Sequence, residues 1–471
     1  MNSKIVAIVG GGLAGLSAAV EAHDQAYNHY IDATILLLEK ENNIGGNSMK
    51  ATSGINGVEP KYNDTMGAFY KDTIQSGGGQ ADLVTKLVQD SPSALNWLEQ
   101  AGVDLSVVSQ CGGHSYPRTH RCGPGPNGAP IPIGFKLVDT LKKRAQNLGI
   151  DIRTNARVTS ITYNQLPPLF TLTINNNDSE RISVDALILT SGGFGGQIHA
   201  TDLDNKTTLL KEYAPQWVDR ATTNGPWANG DGVRLGLSLG ATTVDMDQVQ
   251  IHPTGFVDPN NPTAMSKFLA PEALRAYGGI LLYQGRRFVN ELTTRDLLTQ
   301  AILQVTSGQS SPSIWLLLSD QAGHDFGESS LAFYEKKGLI KKVNNNEDDL
   351  AQAMQLDDSS ILKQTLEQYD SQQNGKLDSF GKSRFPTKLV SSPYYWLAQI
   401  TPCVHYTMGG LKINTDAQIL DKENNLPIPG LFGAGEVTGG VHGSNRLAGN
   451  SLLECVVYGR TAGINAIKSL N

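Results

Sequence analysis

The sequence predicts an α/β protein, a parallel-sheet domain of the Rossmann type built from both ends of the chain, with an α+β domain inserted between them. Three observations carry that expectation. An apolar strand at the N-terminus opens directly into a glycine turn and a helix. A second apolar strand ends in an acid. Late in the chain, after a stretch of different character, strand followed by glycines returns.

Residues 4–9 (Lys-Ile-Val-Ala-Ile-Val) form an apolar run of strand length that leads into Gly10-x-Gly12-x-x-Gly15 and the small-residue helix start Leu16-Ser17-Ala18-Ala19. Three glycines at this spacing allow a tight turn, close backbone approach to a pyrophosphate and close packing of helix on strand. The next apolar strand, residues 35–38, ends in Glu39, the carboxylate expected to take the ribose hydroxyls of a dinucleotide. The residues beyond Glu39 decide between ligands. Asn42-Asn43-Ile44-Gly45-Gly46-Asn47-Ser48 continues into Ala51-Thr52-Ser53-Gly54-Ile55-Asn56-Gly57. So much unhindered backbone and so many hydroxyl and amide donors suit a long ligand tracked past its pyrophosphate, and an isoalloxazine fits better than a nicotinamide. The expected cofactor is FAD.

Further along, residues 136–146 carry a helical pattern, and residues 151–163 and 170–174 read as strands. Asn175-Asn176-Asn177 and Asn344-Asn345-Asn346 read as hairpin or loop tips. Residues 186–190 form a buried strand that feeds Ser191-Gly192-Gly193, another close backbone approach, and Asn229-Gly230-Asp231-Gly232 precedes a helix over 233–239. After Met246 the texture changes, and Leu431-Phe432-Gly433-Ala434-Gly435-Glu436 marks the return. The expected organisation is therefore an FAD-binding domain from residues 1–245 and 406–471, with a substrate-capping domain at 246–405.

At about 150 residues per domain, 471 residues allow two or three cores. A net charge of -7 argues against nucleic acid, which would require a basic face. No apolar run approaches the roughly 18 residues of a membrane span. Because the first strand starts at Lys4, a signal or transit peptide has no room, so a cytoplasmic location is expected; a monomer is the separate expectation for assembly. Cys111, Cys122, Cys403 and Cys455 are too few for a disulfide scaffold and form no haem-attachment, zinc or iron-sulfur pattern. No metal site is expected.

Two segments carry arginines beyond what a dinucleotide needs: residues 286–295, ending in Thr293-Thr294-Arg295, and His442-Gly443-Ser444-Asn445-Arg446 within a glycine-rich stretch. Arginine suits bidentate capture of a carboxylate, though Arg446 could equally serve the flavin or a surface acid. His252, in Gln250-Ile251-His252-Pro253-Thr254, and His405, in Val404-His405-Tyr406-Thr407-Met408-Gly409-Gly410, could be satisfied core groups. Glu272 and Arg275, three apart, could form an ordinary ion pair on a helix face.

The chain resembles the soluble fumarate reductase family, flavoprotein relatives of the succinate dehydrogenase and fumarate reductase flavin subunits. The resemblance runs from residue 5 to about 463 and is strongest at 45–57, 112–121, 252–254, 286–295, 405–410 and 433–460. It is greatest to the fungal single-chain members, which have no haem domain. The resemblance implies reduction of fumarate to succinate, with hydride from flavin N5 and a proton from Arg295. It further implies that Glu272 and Arg275 relay protons to Arg295, and that His252, His405 and Arg446 hold the two carboxylates. FAD contacts are expected from Gly10, Gly12, Leu13, Ala14, Gly15, Glu39, Lys40, Gly46, Asn47, Ser48, Thr52, Ser53, Gly54, Asn56, Gly57, Val158, Ser191, Gly192, Asp231, Gly435, Glu436, Arg446, Ser451 and Leu452. Asp296, beside Arg295, is expected to be structural.

Two departures matter. Pro271 stands where bacterial soluble relatives carry a threonine, which removes a hydroxyl and a backbone N–H. Ser48 stands where membrane-bound relatives attach flavin through a histidine, so the FAD is expected to be non-covalent. Free reduced flavin or another small carrier is the expected electron donor. Competing readings are a reductase of another unsaturated acid of the urocanate or acrylate type, an L-aspartate oxidase-like enzyme, and a flavoprotein that binds FAD and a dicarboxylate without turnover.

Overall fold

The computed structural model describes residues 3–125, 131–202, 206–309, 313–372 and 376–470. Its first sheet has six strands in the order Gln418–Leu420, Pro427–Gly433, Ala186–Leu189, Lys4–Val9, Ala33–Leu38, Asp151–Arg153. All neighbours pair in parallel except the first two, which are antiparallel. The central strands are apolar and buried along their whole inner length, as strands covered on both faces must be.

Gly10 has a φ of +112° and turns the chain out of the first strand. The helix after it, Leu13–Asn28, lies against the C-terminal helix Asn450–Lys468. Their crossing depends on small residues: a Cβ on Gly459 would lie 2.6 Å from the Ala14 carbonyl oxygen, and one on Gly463 would lie 2.5 Å from that of Ala18. The C-terminal helix thus returns to the first one, which is how the two ends of the chain make one domain.

A separate three-stranded sheet, Val158–Tyr163, Phe170–Ile174 and Asn177–Val184, carries its tip at Asn175 and Asn176, both with positive φ. Residues 151–163, expected as one strand, are two. Asn155 adopts the left-handed conformation at φ +54° and breaks the run between Asp151–Arg153 and Val158–Tyr163. The helix expected over 136–146 spans Ile133–Asn147, and Asn346 caps the helix Glu347–Met354.

The second large sheet is antiparallel: Val249–Phe256, Tyr394–Thr407, Ile314–Ser319, Ile280–Tyr283 and Arg286–Arg287, with Lys341–Asn344 also pairing with Tyr394–Thr407. Alternate residues face two different cores. Leu281, Leu316, Leu318, Trp396 and Ala398 belong to one; Ile280, Leu282, Leu317, Tyr395 and Leu397 belong to the other. Period-two alternation between two apolar layers is what buries a sheet on both faces. Val249, Ile251 and Val404, at the near ends of its first two strands, pack instead into the core of the parallel-sheet domain. The strand Tyr394–Thr407 runs through the boundary expected at 405.

Candidate active site

A cleft of about 670 Å³ opens at the carboxyl ends of the parallel strands, where ligands enter such sheets. Gly10, Gly12, Leu13 and Ala14 form one wall, with Glu39, Lys40, Gly46, Asn47, Ser48, Thr52, Ser53 and Gly54 beside them. Val158, Ser191, Gly192, Asp231, Gly435, Glu436, Arg446, Ser451 and Leu452 line it further. The helix Leu13–Asn28 starts here without a side-chain cap on Gly12. Leu13 N–H donates to Ser48 Oγ at 3.2 Å, and the first-turn N–H groups beyond it, with the dipole, suit a phosphate. A Cβ on Gly12 would meet nothing closer than Ser48 Oγ, 3.6 Å away, so this face of the turn is open.

Glu39 accepts from the backbone N–H groups of Gly11 (2.8 Å) and Glu41 (2.9 Å), which fixes its carboxylate at the end of the second strand. Lys40 donates to Asn229 (2.6 Å) and Asp231 (3.0 Å), closing the cleft on that side. Asn47 Oδ1 accepts from Gly225 N–H and Trp227 Nε1, which positions the short helix Gly46–Lys50. The buried hydroxyls of Thr52 and Ser191 have no partner. Two orphaned donors in a glycine-lined cleft that begins at a helix N-terminus fit a flavin dinucleotide.

Three expected contacts lie outside the cleft. Asn56 is fully buried and donates to the Ala448 carbonyl and to Asn450 Oδ1, both at 2.7 Å, so it braces the loop behind the C-terminal helix. A Cβ on Gly57 would lie 2.1 Å from Leu95 Cδ1, and one on Gly15 would lie 1.9 Å from the Gly10 carbonyl oxygen. Both glycines serve packing.

Beyond the glycines the character changes from backbone to charge. His252 comes from the strand Val249–Phe256 and His405 from its neighbour Tyr394–Thr407; their rings meet edge to face at 5.0 Å. Burial, reinforced by the Arg295 charge, holds both imidazoles well below their ordinary pKa, so both are neutral. His252 Nε2 is buried without a partner. Arg446 reaches in from the loop before the C-terminal helix, its guanidinium 4.4 Å from the centre of the Tyr406 ring. Arg295 opens the helix Arg295–Val305.

Both arginines converge on Gln250. Its Oε1 accepts from Arg295 Nη1 at 3.1 Å and Arg446 Nη2 at 3.3 Å, and its amide donates to Asn445 Oδ1 and the Arg446 carbonyl. Sequence reasoning passed over Gln250. The signal was present: it lies two residues before His252, and alternate residues of a strand share a face. Arg446 forms no ion pair with a carboxylate among the described residues, and its Nε has no partner. Burial and the nearby Arg295 lower its pKa to about 10. A cation so placed favours an anion opposite it.

Glu272 opens the short helix Glu272–Ala276 and accepts from Arg295 Nε at 3.0 Å and from the Gly112 N–H at 2.8 Å. Burial pushes its pKa up, but Arg295 and Arg275 overcome this and hold it below the usual carboxylate range. Arg275 Nη2 stands 3.9 Å from Glu272 Oε2, an ion pair beyond hydrogen-bond reach. Its Nη1 donates to the Glu291 carbonyl instead. The link expected between Arg275 and Glu272 is therefore electrostatic. Asp296 accepts from Asn445 Nδ2 at 2.9 Å, tying the helix of Arg295 to the loop of Arg446.

Pro271 precedes Glu272 as the N-cap residue, without a capping side chain. All four cysteines are free, and burial followed by the Glu272 charge pushes the Cys111 thiol up to about 11. Among the described residues no helix is long and apolar enough to cross a membrane.

Residues 6–452 match the FAD binding domain family. The chain is 38% identical to fumarate reductase 1 of Saccharomyces cerevisiae over 98% of each sequence. It is also 38% identical to the fumarate reductase of Schizosaccharomyces pombe, over 100% of this chain and 90% of that one. Among solved structures, the open conformation of a flavocytochrome c3 fumarate reductase matches with a TM-score of 0.75 and 32% identity, over 99% of this chain and 78% of that one.

Proposed function

The chain belongs to the FAD binding domain family and to the fumarate reductases within it, and from that premise we propose that it reduces fumarate to succinate at the junction of its two large sheets. One observation carries this reading: two buried arginines from different parts of the chain, Arg295 and Arg446, aim at one acceptor, Gln250 Oε1. A buried site with this excess of positive charge favours a dianion, and two neutral histidines beside it offer hydrogen bonds without adding charge.

FAD, when bound in the cleft, supplies the hydride. Arg446 grips one carboxylate; His252 and His405 orient and polarise the substrate in a water-poor pocket, where fixed donors stabilise developing charge better than solvent does. As one alkene carbon takes the hydride, Arg295 gives its proton to the other. A guanidinium ordinarily keeps its proton and rarely acts as an acid. The acceptor here is a strongly basic carbanion, and Glu272, hydrogen-bonded to Arg295 Nε, replaces the proton. Arg275 contributes its field, keeping Glu272 ionised between turnovers.

We read the segment 246–405 as a cap that closes on the substrate, because His252, Glu272 and Arg295 belong to it while Arg446 belongs to the parallel-sheet domain. The donor in this reading is free reduced flavin, for which Phe268 and Phe333, 52% and 49% exposed, line the mouth of the cleft with flat apolar faces. The FAD is held non-covalently, since Ser48 Oγ accepts from Leu13 N–H and offers no imidazole for a covalent bond.

The test is turnover under reduced methyl viologen with fumarate, urocanate and acrylate in parallel. Fumarate is expected to be preferred, because only it carries a second carboxylate for His252 to hold while Arg446 grips the first. A preference for a monocarboxylate would overturn the assignment of substrate.

A further inference from the structure

Arg446 is 4% exposed and is held without meeting a carboxylate. Its Nη1 donates to Ser451 Oγ at 2.7 Å and its Nη2 to Gln250 Oε1 at 3.3 Å, both neutral acceptors, while its Nε has no partner. Glu454, near the start of the C-terminal helix, is the opposite case. It is 1% exposed, its Oε1 has no partner, and among the described residues no lysine or arginine pairs with it. A buried charge is costly unless another charge or a set of hydrogen bonds offsets it.

One side chain stands between the two. The Arg446 Cζ lies 4.4 Å from the centre of the Tyr406 ring, and the Tyr406 hydroxyl donates to Glu454 Oε2 at 2.6 Å. His442 Nε2 lies 2.9 Å from the same oxygen, and the His442 ring meets the Tyr406 ring edge to face at 5.7 Å. Burial, followed by the Glu454 charge, pushes the Tyr406 phenol well above its ordinary pKa, so it is protonated and acts as a donor. A phenol that donates to an anion is polarised by it and gains negative charge on its ring, and the ring face is what attracts a cation. Packing alone would be served by a phenylalanine. The hydroxyl is what joins the ring under Arg446 to a buried carboxylate.

We propose that Tyr406 and Glu454 are positioning residues for the substrate clamp: the phenol ring holds the Arg446 guanidinium by its face, and its hydroxyl ties it to Glu454, the buried counter-charge. The inference rests on the fumarate-reducing reading only in taking Arg446 as the group that grips a carboxylate. With its plane fixed by the ring and its two terminal nitrogens by Ser451 and Gln250, the guanidinium is oriented before a substrate arrives. Binding then costs little further ordering of the clamp. Loss of this support weakens the grip on the dicarboxylate and touches the hydride and proton steps less.

The test uses the FAD-loaded enzyme: wild type, Tyr406→Leu, Tyr406→Phe, Glu454→Gln, Arg446→Ala, and Arg446→Ala combined with Glu454→Gln. The dissociation constant of succinate is read from the flavin spectrum, and turnover of fumarate with reduced methyl viologen gives kcat and KM. Tyr406→Leu is expected to raise the succinate dissociation constant about 30-fold, the scale of a desolvated cation–π contact, and to change KM far more than kcat. Tyr406→Phe keeps the ring but cuts the tie to Glu454, so a rise of about fivefold is expected, the scale of one hydrogen bond. It decides the matter if Tyr406→Leu does not fold. Glu454→Gln should weaken succinate binding when Arg446 is present and have no further effect once Arg446 is gone, because residues that act through one another are not additive. The same loss in both backgrounds, or wild-type affinity in either Tyr406 variant, would overturn the proposal. If succinate binding follows the expected pattern but the wild type does not reduce fumarate, the functional reading falls and the support of the clamp stands.

Discussion

The two ends of the cleft are built from different materials. At Gly10 to Gly12 the wall is backbone, a helix start and unpartnered hydroxyls, and its specificity comes from letting a ligand come close. At Gln250 the wall is side-chain charge taken out of water, with Arg295, Arg446, Arg275 and Glu272 all buried. Loss of a contact in the first region removes one hydrogen bond among many. Loss of a group in the second leaves a buried charge uncompensated or removes a proton the reaction needs. Large functional effects therefore concentrate at the charged end and fade toward the glycines.

The largest effect is expected at Arg295. Arg295→Ala should lower kcat for fumarate by roughly 10⁴-fold, the upper range for a proton-transfer group, while dicarboxylate binding largely survives, because a proton donor acts in the transition state. Arg446→Ala should behave differently. Truncating a buried charge that pairs with ligand costs about 2–5 kcal/mol, so the fumarate dissociation constant should rise by roughly 10²-fold or more. Single-turnover kinetics together with equilibrium titration separate the two. An equal rise in dissociation constant with no change in kcat for both variants would erase the distinction between acid and clamp.

The same division explains what the sequence disclosed. The glycine turn, its flanking strand and Glu39 lie close in the chain, so their geometry obeys local rules of strand, turn and helix. Arg275 shows where local rules stop. Its spacing from Glu272 foretold the shared helix face and the ion pair that forms at 3.9 Å, but not the hydrogen bond it donates to the carbonyl of Glu291, sixteen residues on. Asn56 and Gly57 sat in the right composition for flavin contacts, yet the packing of Leu95 and the loop at Ala448 claimed them. Gln250 was passed over because an amide between apolar residues reads as part of a strand until its partner arginines are placed beside it.

A smaller effect lies on the boundary between the two regions. Glu436 lines the cleft and accepts from Thr407 N–H at 2.9 Å, and burial pushes its pKa up from 4.5 to about 7. With the folded pKa above the unfolded one, the folded state holds more protons, so this contribution to stability is fully present below about 4.5 and is lost as pH rises through about 7. A shift of this size corresponds to about 3 kcal/mol at 1.36 kcal/mol per unit. Glu436 is half-buried in an open cleft, however, and solvent screening trims that to about 1–2 kcal/mol. Urea unfolding of the FAD-free protein at pH 5 and 8 should show the loss in wild type and not in Glu436→Gln. Parallel pH profiles for the two would assign the dependence elsewhere.

The smallest effect is expected at the backbone-built end. Glu39→Ala removes one carboxylate from a cleft whose grip is spread over glycines, amides and hydroxyls, so FAD affinity should fall only about tenfold, near 1.4 kcal/mol, the scale of one hydrogen bond to a charged group. The side chain also accepts from Gly11 and Glu41, and those bonds could be its whole function. Glu39→Gln separates the two possibilities. It keeps one of the two turn bonds, because Gly11 and Glu41 donate to different carboxylate oxygens and an amide has one accepting oxygen, and it loses the charge-assisted grip on a ribose hydroxyl. If the ribose contact is right, Glu39→Gln weakens FAD retention nearly as much as Glu39→Ala although the FAD-free Glu39→Gln protein unfolds at higher urea than FAD-free Glu39→Ala. If Glu39 only braces the turn, FAD retention in Glu39→Gln recovers in step with that stability, and the gap between the two ends of the cleft becomes wider still.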